Sequence, residues 1–350
     1  MAQAEETRAR LCAAHGWPQE AVELVPVTAS GDKVQDRPLS EIGGKALWTR
    51  ELDAWLAEGR IDGAVHSLKD VETWRPETLV LAAILPRADK SDVLLGATGI
   101  AALPQGAVVG TSAPRRAAQL LHARPDCTVV TFRGNVATRI AKLAAGEADA
   151  TFLAAAGLAR LGEHGVGHKL DPAEWLPAPA QGAIAIECRS DDAEARGLLG
   201  AIDHAPSRAE VTAERALLAA LGGNCHSPIA VLCERAEQSA EARDGDGSPA
   251  EGATSCERGA GASPARDASP HEQRDRGPPA ARSQSEGDAE PPLLWMRAAL
   301  FSPDGAERVD GSARFLAEDG EGPGRLARDL LARATPGIAA HFAGPERAQD

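Results

Sequence analysis

Ala107-Val108-Val109-Gly110-Thr111-Ser112-Ala113-Pro114-Arg115-Arg116 is the stretch that decides the fold class. An apolar strand from Ala107 to Val109 runs into a glycine turn, and Thr111 or Ser112 is placed to cap a helix with Pro114 at an early position. Two cations fall in the first helical turn. The pattern repeats after a strand from Thr128 to Phe132, where Arg133-Gly134-Asn135 leads into a helix from Val136 to Ala145 with Arg139 near its start. Strand, turn and helix in repetition predict an α/β architecture.

A helix N-terminus carries partial positive charge, so each arginine there costs about 0.3 to 1 kcal/mol unless an anion faces it. Solvation, or pairing with Asp126, Glu147 or Asp149, accounts for any single arginine. The clustering is harder to explain that way. Gly110 to Arg160 holds seven Lys or Arg against three Asp or Glu, in a chain of formal charge −14. In open α/β sheets ligands gather beyond the carboxyl ends of the strands, where these turns lie, and guanidinium forks grip carboxylates or phosphates in bidentate fashion. The expected ligand is small and acidic.

At 350 residues the chain has room for two or three domains. Its acidic balance argues against a general nucleic-acid binder, because no extended basic face is present to release counterions. No apolar run reaches the roughly 18 residues of a membrane span, and Met1-Ala2-Gln3-Ala4-Glu5-Glu6 is not a signal peptide, so a cytoplasmic protein is expected. Six cysteines (Cys12, Cys127, Cys188, Cys225, Cys233, Cys256) show no C-x-x-C pair and no His-Cys cluster at metal spacing. Reduced thiols, and no bound metal, are expected.

Ala2 to His15 reads as a helix and Val22 to Val27 as a strand. Gly43-Gly44-Lys45 opens an amphipathic helix with Leu47, Trp48, Leu52, Trp55 and Leu56 on one face. Strands follow at Ile61 to Val65 and Leu79 to Leu85, flanking the turn His66-Ser67-Leu68-Lys69-Asp70. The alternation continues to Phe152 and predicts parallel-rich sheets covered by helices. A strand at Ala183 to Glu187 and a helix at Ala209 to Leu221 come next, the helix stopping at Gly222-Gly223 before Asn224-Cys225. From Glu234 to about Pro292 large apolar residues nearly vanish, which predicts a disordered insertion. Leu293 to Phe301, and a helix from Arg325 to Phe342 broken near Pro336, complete a small α+β terminal domain.

Several segments together resemble the porphobilinogen deaminase (hydroxymethylbilane synthase) family: Ile42-Gly43-Gly44-Lys45-Ala46-Leu47-Trp48, Ala64-Val65-His66-Ser67-Leu68-Lys69-Asp70-Val71, Gly110-Thr111-Ser112 with Arg115-Arg116, Arg133-Gly134-Asn135-Val136, Ala155-Ala156-Gly157-Leu158-Ala159-Arg160-Leu161, Gln181-Gly182-Ala183 and Gly223-Asn224-Cys225. Each is weak alone, but their order and spacing cover nearly all of the chain outside the insertion. The resemblance implies two periplasmic-binding-protein-like lobes (1–86 with 183–203, and 87–182) and a C-terminal cofactor-attachment domain (204–350), with the active cleft between the lobes. It implies a transferase that joins four porphobilinogen units head to tail, releasing ammonia, on a dipyrromethane cofactor held by a thioether to Cys225. A monomer is implied as well.

The chemistry of the residues agrees. Porphobilinogen carries an acetate and a propionate, and each charged hydrogen-bonded contact is worth about 1.5 to 3 kcal/mol. Arg115, Arg116, Lys69, Thr111 and Ser112 are candidates for holding the cofactor; Arg133, Arg139, Arg160, Lys45 and Gln181 are candidates for the substrate. Loss of ammonia leaves an azafulvenium carbon whose charge is shared by the pyrrole nitrogen. A carboxylate beside that N–H stabilises it and can move protons, the role the resemblance gives to Asp70. Read singly, Asp70 is equally a helix cap or a partner of Lys69, and Cys225 a buried thiol. His66 reads as a structural hydrogen-bonding residue, and Trp48 with Trp55 as core.

Departures also stand out. The family's usual first strand and turn, with an arginine and a serine at the site, precede the first helix, whereas this chain starts inside that helix at Met1-Ala2-Gln3; a start codon assigned too late, or a fragment, is the preferred explanation. Glu72 replaces a usual proline, Ala113-Pro114 a usual Ser-Leu, and Ala180 a glycine before Gln181. Two other readings remain at this level: a non-enzymatic binding protein for small carboxylates, which would carry no covalent pyrrole, and an inactive truncated relative, which restored upstream codons would reveal.

Overall fold

The computed structural model describes residues 1–27, 49–236 and 291–342. Gly43-Gly44-Lys45, Leu47 and Trp48 lie outside them, as do most of the expected insertion and Cys256.

Helix α1 (Ala2–His15) ends at Gly16 in the left-handed conformation, φ 66°. Val22 to Val27, expected as a strand, has no ladder partner among the described residues. Helix α2 (Arg50–Ala57) buries Leu56 completely, with Leu52 and Ile61 partly buried around it. Strand β1 (Ala64–Ser67) then runs into one 3-10 turn, Leu68–Asp70, and β2 is Leu79–Ile84. The chain crosses to a second sheet through β3 (Asp92–Leu95), β4 (Val108–Gly110), α3 (Pro114–Ala123), β5 (Thr128–Val130), α4 (Val136–Ala144), β6 (Ala150–Ala154), α5 (Ala155–Arg160) and β7 (His168–Lys169). It returns to the first sheet as β8 (Ile184–Arg189), followed by α6 (Ala193–Gly200) and α7 (Ala205–Ala220). A third sheet is built from β9 (Ile229–Arg235), β10 (Leu293–Phe301) and β11 (Arg308–Leu316), with α8 (Gly322–Arg333) and α9 (Pro336–Ala339) after it.

The class is α/β in two lobes with a small C-terminal unit, but the sheets are not parallel-rich: among the described residues parallel pairs occur only in the second sheet, and there beside antiparallel ones. The first sheet has the order β1-β8-β2 with both pairings antiparallel. The second has the order β5-β4-β6-β3-β7; β4 pairs in parallel with β5 and β6, while β3 is antiparallel to β6 and β7. Strands linked by helices within a lobe run parallel, as right-handed crossovers require. Strands that bring the chain across, β3 going out and β8 coming back, enter from the opposite side and run against their neighbours. Local hydrophobic patterning carries no information on that direction.

The third sheet has the order β11-β10-β9 and is antiparallel throughout, with Leu294 opposite Arg235 and Leu293 opposite Leu316. Glu234 and Arg235 belong to β9, so the ladder persists into the stretch expected to be disordered. Its core joins Leu217, Val231, Met296, Leu300 and Leu330. A separate apolar seam of Ala118, Leu176, Ala230, Leu232, Ala299 and Phe301 packs this sheet against α3. At the same seam His122 Nδ1 lies 2.9 Å from the Gly305 carbonyl oxygen. The expected helix from Arg325 to Phe342 is α8 and α9, interrupted at Ala334-Thr335 before Pro336, where Thr335 caps the second piece.

Candidate active site

A cavity of about 210 Å³ opens where the 3-10 turn after β1, the start of α3, the return segment 178–181 and the turn after α7 converge. Lys69, Asp70, Ser112, Arg115, Arg116, Arg139, Gln181 and Cys225 all line it, and with them Arg215, Asn224 and His226. Five of these are lysine or arginine, and Asp70 is the single carboxylate around it among the described residues.

The arginines at the start of α3 are not capped as expected. Pro114 occupies the first helical position and makes Ala113 the N-cap, with no side-chain cap. Thr111 Oγ1 instead accepts from the Ala113 N–H at 3.2 Å, an ST turn. The anion that faces the two arginines is Asp92, the first residue of β3 and fully buried. Its Oδ1 takes Arg116 Nη2 at 2.6 Å and Gln181 Nε2 at 2.9 Å; its Oδ2 takes Arg115 Nη2 at 2.8 Å and Trp175 Nε1 at 2.9 Å. Burial would raise this carboxyl, but Arg115 and Arg116 outweigh it and hold Asp92 well below the usual carboxylate range. Part of the charge attributed to a ligand is thus neutralised from within. Asp126, Glu147 and Asp149 face Arg124, Lys142 and the Val108 N–H.

Two guanidiniums on one carboxylate leave a surplus, and the Nε atoms of Arg115 and Arg116 are buried without a hydrogen-bond partner. Lys69, half-buried, has its pKa lowered by desolvation and by Arg116 and Arg115, against Asp70 and Asp92. Arg139 is lowered to about 10 by desolvation and by Arg116 and Arg133, against Asp70. Such crowding of cations costs energy and is relieved by an anionic guest. A guest bearing several carboxylates suits this donor set, and Cys225, the exposed thiol among the described residues, opens into the same space. Surrounding protein and the Asp70 and Glu72 carboxylates push its pKa up to about 11, so it is a thiol at neutral pH.

Beneath the Asp70 turn lies a buried ionic cluster. Arg75 donates from Nε and Nη2 to Glu187 at 2.9 and 2.8 Å and reaches Asp53, Glu72 and Thr49. His66 Nε2 lies 3.1 Å from Glu187 Oε2, in keeping with the structural role read for it.

Thr111, Arg133 and Arg160 do not line the cavity. Thr111 is buried behind it. Arg133 is buried at the turn before α4; Arg139 Nε donates to the Gly134 carbonyl there at 3.0 Å, and Asn135 caps the helix from its side chain. Arg160 Nη2 donates to the Gly182 carbonyl at 3.1 Å, and its Nε is 3.6 Å from Glu6 on α1. Lys45 lies outside the described residues. Asp92, Arg215 and His226 escaped the sequence reading: an aspartate before an apolar run reads as loop, and an arginine inside a helix reads as solvated surface.

The family model described as "Porphobilinogen deaminase, dipyromethane cofactor binding domain" matches residues 1–197, and "Porphobilinogen deaminase, C-terminal domain" matches residues 208–241. A Sphingopyxis alaskensis protein named porphobilinogen deaminase is 61% identical over 239 residues, covering 67% of this chain and 76% of its own length. The chain belongs to the porphobilinogen deaminase family. Its Paracoccus denitrificans namesake is 54% identical over 237 residues, covering 67% of this chain and 76% of that relative. Among solved structures, the periplasmic VFT2 domain of Bordetella pertussis BvgS aligns over 56% of this chain and 76% of its own at 17% identity, with a TM-score of 0.33. As a porphobilinogen deaminase family member the chain is a transferase of tetrapyrrole biosynthesis, with a dipyrromethane cofactor. No helix among the described residues is long and apolar enough to cross a membrane.

Proposed function

We propose that this cavity is the chemical centre at which the chain, as a hydroxymethylbilane synthase, joins four porphobilinogen molecules into hydroxymethylbilane with release of ammonia. The observation that carries the reading is the convergence of Asp70 and Cys225 on one cation-lined cavity, from segments more than 150 positions apart. Cys225 would hold the dipyrromethane through its sulfur, with Lys69, Ser112, Arg115 and Arg116 on its carboxylates and Thr111 shaping the turn. When bound, that group supplies the terminal pyrrole from which the chain grows.

Arg139 and Gln181 line the cavity and are assigned to the substrate, Arg139 as a planar donor to its acetate or propionate and Gln181 from behind, since its Nε2 already donates to Asp92 and to the Lys90 carbonyl. Arg133 and Arg160 act from the neighbouring turns, and Lys45 belongs to the same assignment. Asp70, the single carboxylate that lines the cavity among the described residues, is assigned to accept a pyrrole N–H. As ammonia leaves, its negative charge stabilises the positive charge on that ring, and it can take up a proton once the new bond has formed. The surplus of cations holds the guest; Asp70 opposes that field at one point. We assign 1–86 with 183–203, 87–182 and 204–350 as three domains of a cytoplasmic monomer, a division supported by one sheet in each.

Intact-mass measurement on protein expressed with porphobilinogen available tests the reading. Wild type should carry an adduct that Cys225→Ser abolishes, and Asp70→Ala should abolish turnover with an unchanged far-UV CD spectrum. A bare polypeptide mass, or wild-type turnover in Asp70→Ala, would overturn it.

A further inference from the structure

Residues 71–78, which follow the Asp70 turn, form no helix or strand, and among them Thr78, next to β2, is tied to the sheet through its carbonyl, which accepts from the Ser190 N–H at 2.8 Å. Arg75 anchors the middle of the segment on Glu187. The end next to Asp70 is held from α7. Arg215 Nη1 donates to the Val71 carbonyl at 3.3 Å, and its Nη2 donates to those of Glu72 and Thr73 at 2.7 and 3.2 Å. Three successive carbonyls are gathered by one half-buried guanidinium.

The same helix leads directly to the sulfur. After α7, Gly222 reverses the chain at φ 66°, and Gly223 lies so close to the helix that an added Cβ would stand 2.6 Å from Leu218 Cδ1. Thr73 Oγ1 donates to the Gly223 carbonyl at 3.0 Å, a second tie between the two loops. Cys225 follows two residues later. The acid and the thiol arrive from different sheets, and Arg215 with Thr73 forms the bond set joining their loops.

We propose that Arg215 is a positioning residue that fixes Asp70 against the Cys225 turn, with Thr73 as its auxiliary. The proposal rests on the reading of Asp70 and Cys225 given above. Arg215 also lines the cavity, and the alternative is that it simply grips a substrate carboxylate. The two roles separate kinetically. A clamp lost lowers the chemical step, and misplacement by about 1 Å can cost on the order of 100-fold. A carboxylate grip lost raises KM with kcat preserved.

The test uses the full chain with Arg215→Gln and, separately, Thr73→Val, which keeps the volume and removes only the tie. Intact mass is taken first; a wild type without adduct would overturn the site reading itself and leave the clamp to the second measurement. In loaded protein, Arg215→Gln should lose about 10- to 100-fold in kcat with KM within about threefold, and Thr73→Val should move the same way by less. In adduct-free protein, alkylation at the Cys225 peptide should be at least about threefold faster in both variants, because the loop opens more often. Wild-type kcat and wild-type alkylation in Thr73→Val, or a raised KM with unchanged kcat in Arg215→Gln, would overturn the proposal. Should Arg215→Gln fail to fold, Thr73→Val decides.

Discussion

Asp92 Oδ1 lies 2.6 Å from Arg116 Nη2, and the other oxygen of the same buried carboxylate holds Arg115. Asp92 stands at the first crossing between lobes, and Gln181 and Trp175, which also bond to it, stand at the return. One carboxylate therefore fixes the aim of two site cations and joins both connecting segments.

Asp92→Asn should accordingly be costly. It leaves two buried guanidiniums without an anion, and breaking a buried pair costs about 3 to 5 kcal/mol. Urea melts should show a loss of that order; a change below about 1 kcal/mol would mean that the arginines find other partners.

Acid should unfold the first lobe by a definable route. Burial would raise Glu187, but hydrogen bonds from His66 and Arg75 bring it from 4.5 to about 2. A folded pKa below the unfolded one gives stability that is complete above 4.5 and lost as pH falls toward 2. Glu187→Gln should be less stable at pH 7 and flatter between pH 5 and pH 3, as denaturant melts across that range would show. A parallel wild-type slope would refute the assignment.

The Cys225 thiol titrates near 11, so its alkylation by iodoacetamide in adduct-free protein should rise roughly tenfold per pH unit from 7 to 9. A plateau by pH 8 at the Cys225 peptide would show a thiolate already formed.

Arg139 and Arg160 should separate. Arg139→Leu removes a cavity cation and should slow loading or elongation by tenfold or more, about the worth of one charged contact. Arg160→Leu, outside the cavity lining, removes a tie between Gly182 and Glu6 and should lower the melting temperature while slowing turnover less than Arg139→Leu does. Equal effects on turnover would argue against the difference in placement.

Ala180 has φ 58°, the left-handed region that favours glycine. Its N–H donates to Glu214 at 2.7 Å, and it is fully buried. The strain is worth about 1 to 2 kcal/mol, offset in part by the greater freedom of glycine when unfolded. Ala180→Gly should therefore raise the unfolding free energy by up to about 1 kcal/mol in urea. A loss of stability would mean that the buried methyl matters more.

Much of this was legible in the residues. Asp70 and Cys225 stand in ordered motifs with glycine punctuation, and the strand-turn-helix units around Gly110 and Asn135 are local patterns that the fold respects. What escaped depends on long-range geometry. Asp92 in Lys90-Ser91-Asp92-Val93 becomes the partner of Arg115 and Arg116 only when Gln181 and Trp175 are folded beside it. The reversed direction of β3 and β8 is a property of crossing between lobes, to which local hydrophobicity is blind. Strand β11 went unread because Val309 and Phe315 are its only buried side chains and the inward positions between them are the small Gly311 and Ala313, so the alternation does not register as hydrophobicity.

In the third sheet, β9 and β10 hold Arg235 opposite Leu294 although more than fifty residues separate them in the chain, and Ala236 N–H closes on the Leu293 carbonyl at 2.8 Å. The ladder ends at that point lie a whole strand length from the Ile229 end that borders the cavity. The same junction offers a place to graft an affinity handle or a fluorophore while leaving catalysis alone.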